Sequence, residues 1–366
     1  SSIFCRNNAN IVVRQCNFTN NEASANGGAI YGETESININ NCRFINCSAG
    51  IDSEGQGGGI YLEQDSTSAY EWSMGNIFIN CSAGYSGGGI FIYCHDTHKG
   101  QTKREVSQEI TIADCNFTEC RSLVEGGAIS SGKQEDPNDP DTISGDGDMI
   151  ILRCTFNKCE SGKGGALYFQ DGTSDGDEDT EISNCHFFGC YATEDPHEGY
   201  SIYCRSYQVN LHDCDFQDHL ARGKEPNNCI VYIHTNEPEV QPVIKELTFE
   251  NNNGVSSLIV KSGAKIITIE KLHFHNNRDG TPVLNFNRWE AKDAVVVTKC
   301  DFKDIINSRC IYMSEPPKNK GLSISVTEST FDNIKADDTR EMEFLGSGSS
   351  IFCRNNANIV VRQCNF

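Results

Sequence analysis

Apolar residues along this chain recur in two short alternating frames, and none of them follows helical spacing. The first frame reads aliphatic-x-aliphatic-x-x-Cys-x-Phe: Ile11/Val13/Cys16/Phe18, Ile37/Ile39/Cys42/Phe44, Ile110/Ile112/Cys115/Phe117 and Met149/Ile151/Cys154/Phe156. It returns at Val209/Leu211/Cys214/Phe216 and Val295/Val297/Cys300/Phe302. Where Cys is lost the frame persists, at Ile267/Ile269/Leu272/Phe274 and Ile324/Val326/Ser329/Phe331; only the segment from Glu71 to Phe78 breaks it. The second frame is a glycine pair, a small residue and an aliphatic one: Gly27-Gly28-Ala29-Ile30, Gly57-Gly58-Gly59-Ile60, Gly87-Gly88-Gly89-Ile90, Gly126-Gly127-Ala128-Ile129 and Gly164-Gly165-Ala166-Leu167. It weakens to Gly199-Tyr200-Ser201-Ile202 and then fades.

Period-two alternation is the spacing of a strand with one buried face. The polar pair inside the first frame (Arg14-Gln15, Asn40-Asn41, Ala113-Asp114, Glu270-Lys271) shifts the inward parity, as a corner between two short strands requires. The glycine frame predicts a third strand, entered through a turn that needs φ > 0 or close backbone stacking. Three strands and three corners in roughly 30 residues make one rung of a parallel β-helix. The chain is therefore expected to be all-β, a solenoid in which each rung touches only its neighbours. A longer period overlies the short one, because Ser349 to Phe366 repeats Ser1 to Phe18 without a difference. Residue 349 thus restarts residue 1, which gives a period of 348 residues containing about eleven rungs. The expected organisation is one continuous solenoid over 1–348, with 349–366 opening the next identical period. At ~4.8 Å per strand, one period rises roughly 53 Å. The alternative is that Gly346-Ser347-Gly348 is an engineered linker to a duplicated segment.

Gly-Gly-Ala-Ile alternating with Phe-x-x-Asn, intact at Phe18 to Asn21, Phe249 to Asn252 and Phe274 to Asn277, resembles the repeat of chlamydial polymorphic outer membrane proteins. Trichomonad and other protist surface proteins carry similar repeats. The resemblance implies a right-handed, pectin-lyase-like β-helix serving as a surface stalk or adhesin. In five successive rungs, however, Cys replaces the motif's Asn: Cys47, Cys81, Cys120, Cys159 and Cys190.

The formal net charge of -21 argues against nucleic acid as a partner, since phosphate recognition needs clustered Lys and Arg. It favours solubility and self-repulsion. No run of about 20 apolar residues predicts a membrane span. Of the nineteen Cys, the seventeen of one period fall into columns: Cys16, Cys42, Cys115, Cys154, Cys185, Cys214 and Cys300; the Asn-replacing five; and a looser set of Cys5, Cys94, Cys204, Cys229 and Cys310. Stacked Cα atoms ~4.8 Å apart lie within disulfide range. For the first column a buried small apolar filler is expected; for the Asn-replacing column, rung-to-rung disulfides are expected. Cys-x4-Cys pairs are too widely spaced for ordinary zinc sites.

Sequons at Asn17, Asn46, Asn80 and Asn116 are candidate glycosylation sites, with Asn17 and Asn116 facing outward in the strand register. Two acidic inserts interrupt the rungs, Glu135 to Asp148 and Asp171 to Asp179. The second offers Asp171, Asp175, Asp177 and Asp179 as calcium ligands, although it lacks the EF-hand pattern and also reads as a solvated loop. No other cofactor is expected.

β-Helices also host polysaccharide lyases and hydrolases, but the carboxylates here are scattered over loops and corners, and glycoside hydrolysis needs a matched pair. His186 is expected to face outward beside Asn184 and Phe188, neither an acid nor a base, and no His is expected to share a rung-to-rung column with Asp or Arg. A non-enzymatic role is therefore expected: a subunit of an extracellular or cell-surface filament whose partners are identical repeats end to end. The alternative is an adhesin that binds a cell-surface or glycan ligand through loops of rungs four to six, including 133–148. A polysaccharide-cleaving enzyme ranks below both.

Overall fold

Both frames form strands. In the computed structural model the described residues are 1–6, 10–34, 36–51, 54–65, 70–95, 109–132, 148–170, 179–194, 198–221, 228–235, 240–278, 281–286, 294–313, 323–335, 350–353 and 358–366. They contain parallel strand pairs throughout and no α-helix. The all-β parallel solenoid expected from the sequence is the fold. The chain divides into two compact units, Ser1–Tyr207 and Gln208–Phe366, and the glycine frame ends where the first unit does.

In the first unit each rung repeats the same path. The aliphatic half of the first frame forms one strand and the Phe half another, as in Asn10–Arg14 with Asn17–Thr19 and Ser36–Asn40 with Arg43–Ile45. The glycine frame leads into Ile30–Thr34, Ile60–Asp65, Ile90–His95, Ile129–Gly132, Leu167–Gln170 and Ile202–Ser206. Between Phe strand and glycine turn lies a fourth, two-residue strand that the sequence pattern does not reveal: Glu22–Ala23, Ser48–Ala49, Ser82–Ala83, Arg121–Ser122, Glu160–Ser161 and Tyr191–Ala192. The irregular segment at Glu71 keeps its place in the stack. Its strand Tyr70–Met74 absorbs one extra residue between Glu71 and Ser73 as a bulge. In the second unit two rungs run both halves together as single strands, Gln208–Gln217 and Val243–Glu250.

Registers are in phase from rung to rung, so like sits on like. Phe18, Phe44, Phe78, Phe117, Phe156 and Phe187 stack with ring centroids 4.6–5.2 Å apart. Phe216, Phe249, Phe274, Phe302, Phe331 and Phe366 do the same in the second unit at 4.8–5.3 Å. Such offset aromatic pairs add about 0.5–1.5 kcal/mol each beyond the apolar area they bury.

Each rung turns at two corners built alike. The residue before each column position has φ near +50 to +58°: Gln15, Asn41, Asp114, Arg153 and Asn184 before the first column, Asn20, Asn46, Asn80, Glu119 and Lys158 before the second. L-residues other than Gly, Asn and Asp rarely enter this region. Two such corners cost about 2–4 kcal/mol per rung; burial of one Phe and two aliphatic side chains, at about 1.5–3 kcal/mol each, outweighs that. The corner N–H groups are not wasted: Gln15 donates to the Asn40 carbonyl and Asn41 to that of Met74, each at 3.0 Å.

Candidate functional site

The inward column positions are backbone clamps. In the first column the N–H of one rung donates to a side chain of the next: Cys42 to Asn76 Oδ1 (2.8 Å), Cys154 to Cys185 Sγ (3.4 Å) and Cys300 to Ser329 Oγ (3.1 Å). Asn76 also donates to the Ile39 carbonyl at 2.7 Å. In the second column the Cys and Asn side chains named here turn to the Phe carbonyl of the rung before. Cys81 meets Phe44, Cys120 meets Phe78, Cys159 meets Phe117 and Cys190 meets Phe156, at 3.4–3.8 Å. Asn252 and Asn277 do so with Phe216 and Phe249 at 3.0 Å. Cysteine here substitutes for Asn, as a weaker donor and acceptor on the same backbone groups.

That role corrects the expectation of disulfides. Cys47, Cys81, Cys120, Cys159 and Cys190 are buried free thiols, and no described cysteine is bridged. In-register parallel stacking points equivalent side chains the same way, so their Cβ atoms stay near the strand spacing of ~4.8 Å. A disulfide needs Cβ atoms about 3.5–4.5 Å apart with converging directions. Burial, with the thiols of Cys120 and Cys190 alongside, pushes the Cys159 thiol far above its ordinary range.

The four sequon asparagines are exposed but differ in setting. Asn17 and Asn116 sit on the outer face of Phe strands, in one column that runs Asn17, Arg43, Ile77, Asn116, Thr155, His186. Asn46 and Asn80 are αL corner residues whose amides form a ladder: Asn46 donates to Asn20 Oδ1 (3.1 Å) and Asn80 to Asn46 Oδ1 (3.0 Å). A glycan on either would replace one of the two N–H groups of that amide. Of the calcium candidates, Asp171, Asp175 and Asp177 lie outside the described residues, as does 133–147 of the adhesin loop. Asp179 opens the strand Asp179–Ser183, and its N–H donates to Asp148 Oδ1 at 2.9 Å.

One constellation escaped the sequence reading. His273 and His275 flank inward Phe274 on the strand His273–His275, and Asp301 is the register partner of His273 in the next rung. Histidine and aspartate do therefore share a column, contrary to expectation. The three ligand atoms lie within 4.8 Å of one another, and His275 Nε2 stands 3.0 Å from Asp301 Oδ2. Thr330 donates from Oγ1 to the other carboxylate oxygen of Asp301. Partial burial pushes the Asp301 carboxyl up, yet the hydrogen bonds from Thr330 and His275 outweigh it and hold the group below its ordinary value. The missed signal is positional: the pair shows only when the Phe274 and Phe302 rungs are aligned.

The family model described as the Chlamydia polymorphic membrane protein repeat matches residues 15–33. That stretch runs from the corner at Gln15 through Phe18 and the Gly27-Gly28 turn into the strand Ile30–Thr34, most of one rung's circuit. The match supports a β-repeat of this kind and identifies no individual protein. Neither the curated proteins nor the solved structures yield a match. Among the described residues no helix is long and apolar enough to cross a membrane.

Proposed function

We propose that this chain is a structural subunit of an extracellular or cell-surface filament assembled from tandem β-helix periods, with no catalytic role of its own. One observation carries the reading. The repeated eighteen residues use opposite edges at their two occurrences. Asn10–Arg14 pairs in register with the following strand Ser36–Asn40, whereas its copy Asn358–Arg362 pairs with the preceding strand Ser323–Thr327. Ile3–Cys5 and Ile351–Cys353 behave alike, toward Ile30–Thr34 and Ile311–Met313. A single copy of the segment is thus stereochemically competent to pair on both sides, which is what an internal rung of an array must do. The one-rung likeness to an outer membrane protein repeat supports the surface setting.

Electron microscopy of the native full-length material tests this. Continuous thin filaments with an axial repeat near ~53 Å are expected. Short discrete rods would overturn the array.

A further inference from the structure

We propose that His273, His275 and Asp301 form a binding site for a divalent d-block cation of the zinc type, one that ties two adjacent rungs together. The fold dictates the constellation. Residues two apart on a strand share a face, so both imidazoles leave the Phe strand on its outer side while Phe274 packs inward, fully buried. The in-phase register then sets Asp301 directly beside His273. His273 is exposed and the other two are half-buried, so the site is open to solvent on one side.

The donor set selects the ion. Two imidazoles and one carboxylate suit zinc and its neighbours, whereas calcium wants six to eight oxygens. Tetrahedral zinc at 2.0–2.1 Å from each donor requires donors about 3.3 Å apart. The existing spread of up to 4.8 Å closes to that by rotamer adjustment of exposed His273 and half-buried His275, with no strand movement. Three protein ligands leave the fourth position to water. A supporting contact is already in place: Thr330 holds Asp301 through one oxygen and leaves Oδ2 turned to His275. The surrounding charge is favourable. The two outer columns run Asp215, Thr248, His273, Asp301, Thr330 and Gln217, Glu250, His275, Lys303, Asp332. Asp215, Glu250 and Asp332 thus set three carboxylates against the one ammonium of Lys303. The site stands independently of filament formation.

Titration of the full chain with Co2+ alone, read by its visible absorption and competed with Zn2+, tests the site. One equivalent with nitrogen–oxygen d–d bands and no thiolate charge-transfer absorption is expected. His273→Asn, His275→Gln and Asp301→Asn should each weaken binding at least ~10-fold, while His212→Asn leaves it unchanged. His273 is exposed, so its variant keeps the fold and the test stands even if Asp301→Asn, which replaces the oxygen facing His275 with an amide NH2, does not. Thiolate absorption, or equal affinity of the wild type and His273→Asn, would overturn the proposal.

Discussion

At the scale of single residues, inward positions are governed by what they do for the backbone. His219 occupies the second-column position three residues after Phe216, where most other rungs place Cys or Asn and the rungs of Phe302 and Phe331 place Ile. Its backbone N–H and its Nδ1–H both donate to Asn252 Oδ1, each at 2.9 Å, which fixes the tautomer with the proton on Nδ1. Burial drives its pKa from 6.5 down to about 4, only partly countered by the Asn252 bond. The folded chain therefore holds His219 neutral where the unfolded chain would protonate it. Stability is full above pH 6.5 and falls as pH drops toward 4, by about 3 kcal/mol at the low end. Urea midpoints of the full chain should show this fall, and His219→Asn should remove that share of the slope. Equal slopes in both proteins would contradict the assignment. The thiols give a second test at this scale. Native alkylation should spare Cys81, Cys120 and Cys159, all buried, and urea without reductant should expose every one to labelling. A residue that resists labelling in urea would mean a bridge. The sequence placed these cysteines in the right column but misjudged their chemistry, because Cα spacing was legible and side-chain direction was not.

Elements are set by spacing, and most of them could be read. Phe recurrence located the Phe strands in both units, and glycine recurrence located the turns of the first. The two-residue strands such as Ser48–Ala49 were not legible, since two residues carry no period. The bulge at Glu71 disguised a regular rung, because one inserted residue breaks a period of two without breaking the stack. The glycine pair has two separate causes. Gly87 sits at φ +65°, while Gly88 is needed for space: a Cβ there would lie 2.3 Å from the Arg121 carbonyl oxygen and 2.4 Å from that of Gly127. Gly88→Ala should lower stability on the order of 3 kcal/mol by overpacking against backbone that cannot yield. Gly132→Ala, whose nearest neighbour would be 3.9 Å away, should stay within about 1 kcal/mol. Thermal midpoints of the two variants compare them directly. The His273, His275 and Asp301 constellation belongs to this scale too: it is a product of register, and register between rungs is invisible until Phe274 is laid on Phe302.

For the whole molecule, identity between the first and last eighteen residues matters more than any side chain. Two copies of one sequence, each forming the same first two strands and pairing them through opposite edges, describe a unit that can follow itself. In a filament of such units no period would expose the ladder edges that invite indiscriminate strand addition.

The corners carry one last implication. Twenty-two described non-glycine residues have positive φ; none is β-branched or aromatic, and the set mixes Asn and Gln with Asp, Glu, Lys and Arg. Those positions demand a backbone shape and are indifferent to sign, as Asp114 facing Arg153 in one rung pair and Asn46 facing Asn20 in another illustrate. Those positions hold seven carboxylates and four cations, a net -3 of the chain's -21, and that share is free to be rewritten. In a filament of the proposed kind, substitutions there would retune how strongly neighbouring fibres repel without altering one residue of the interior.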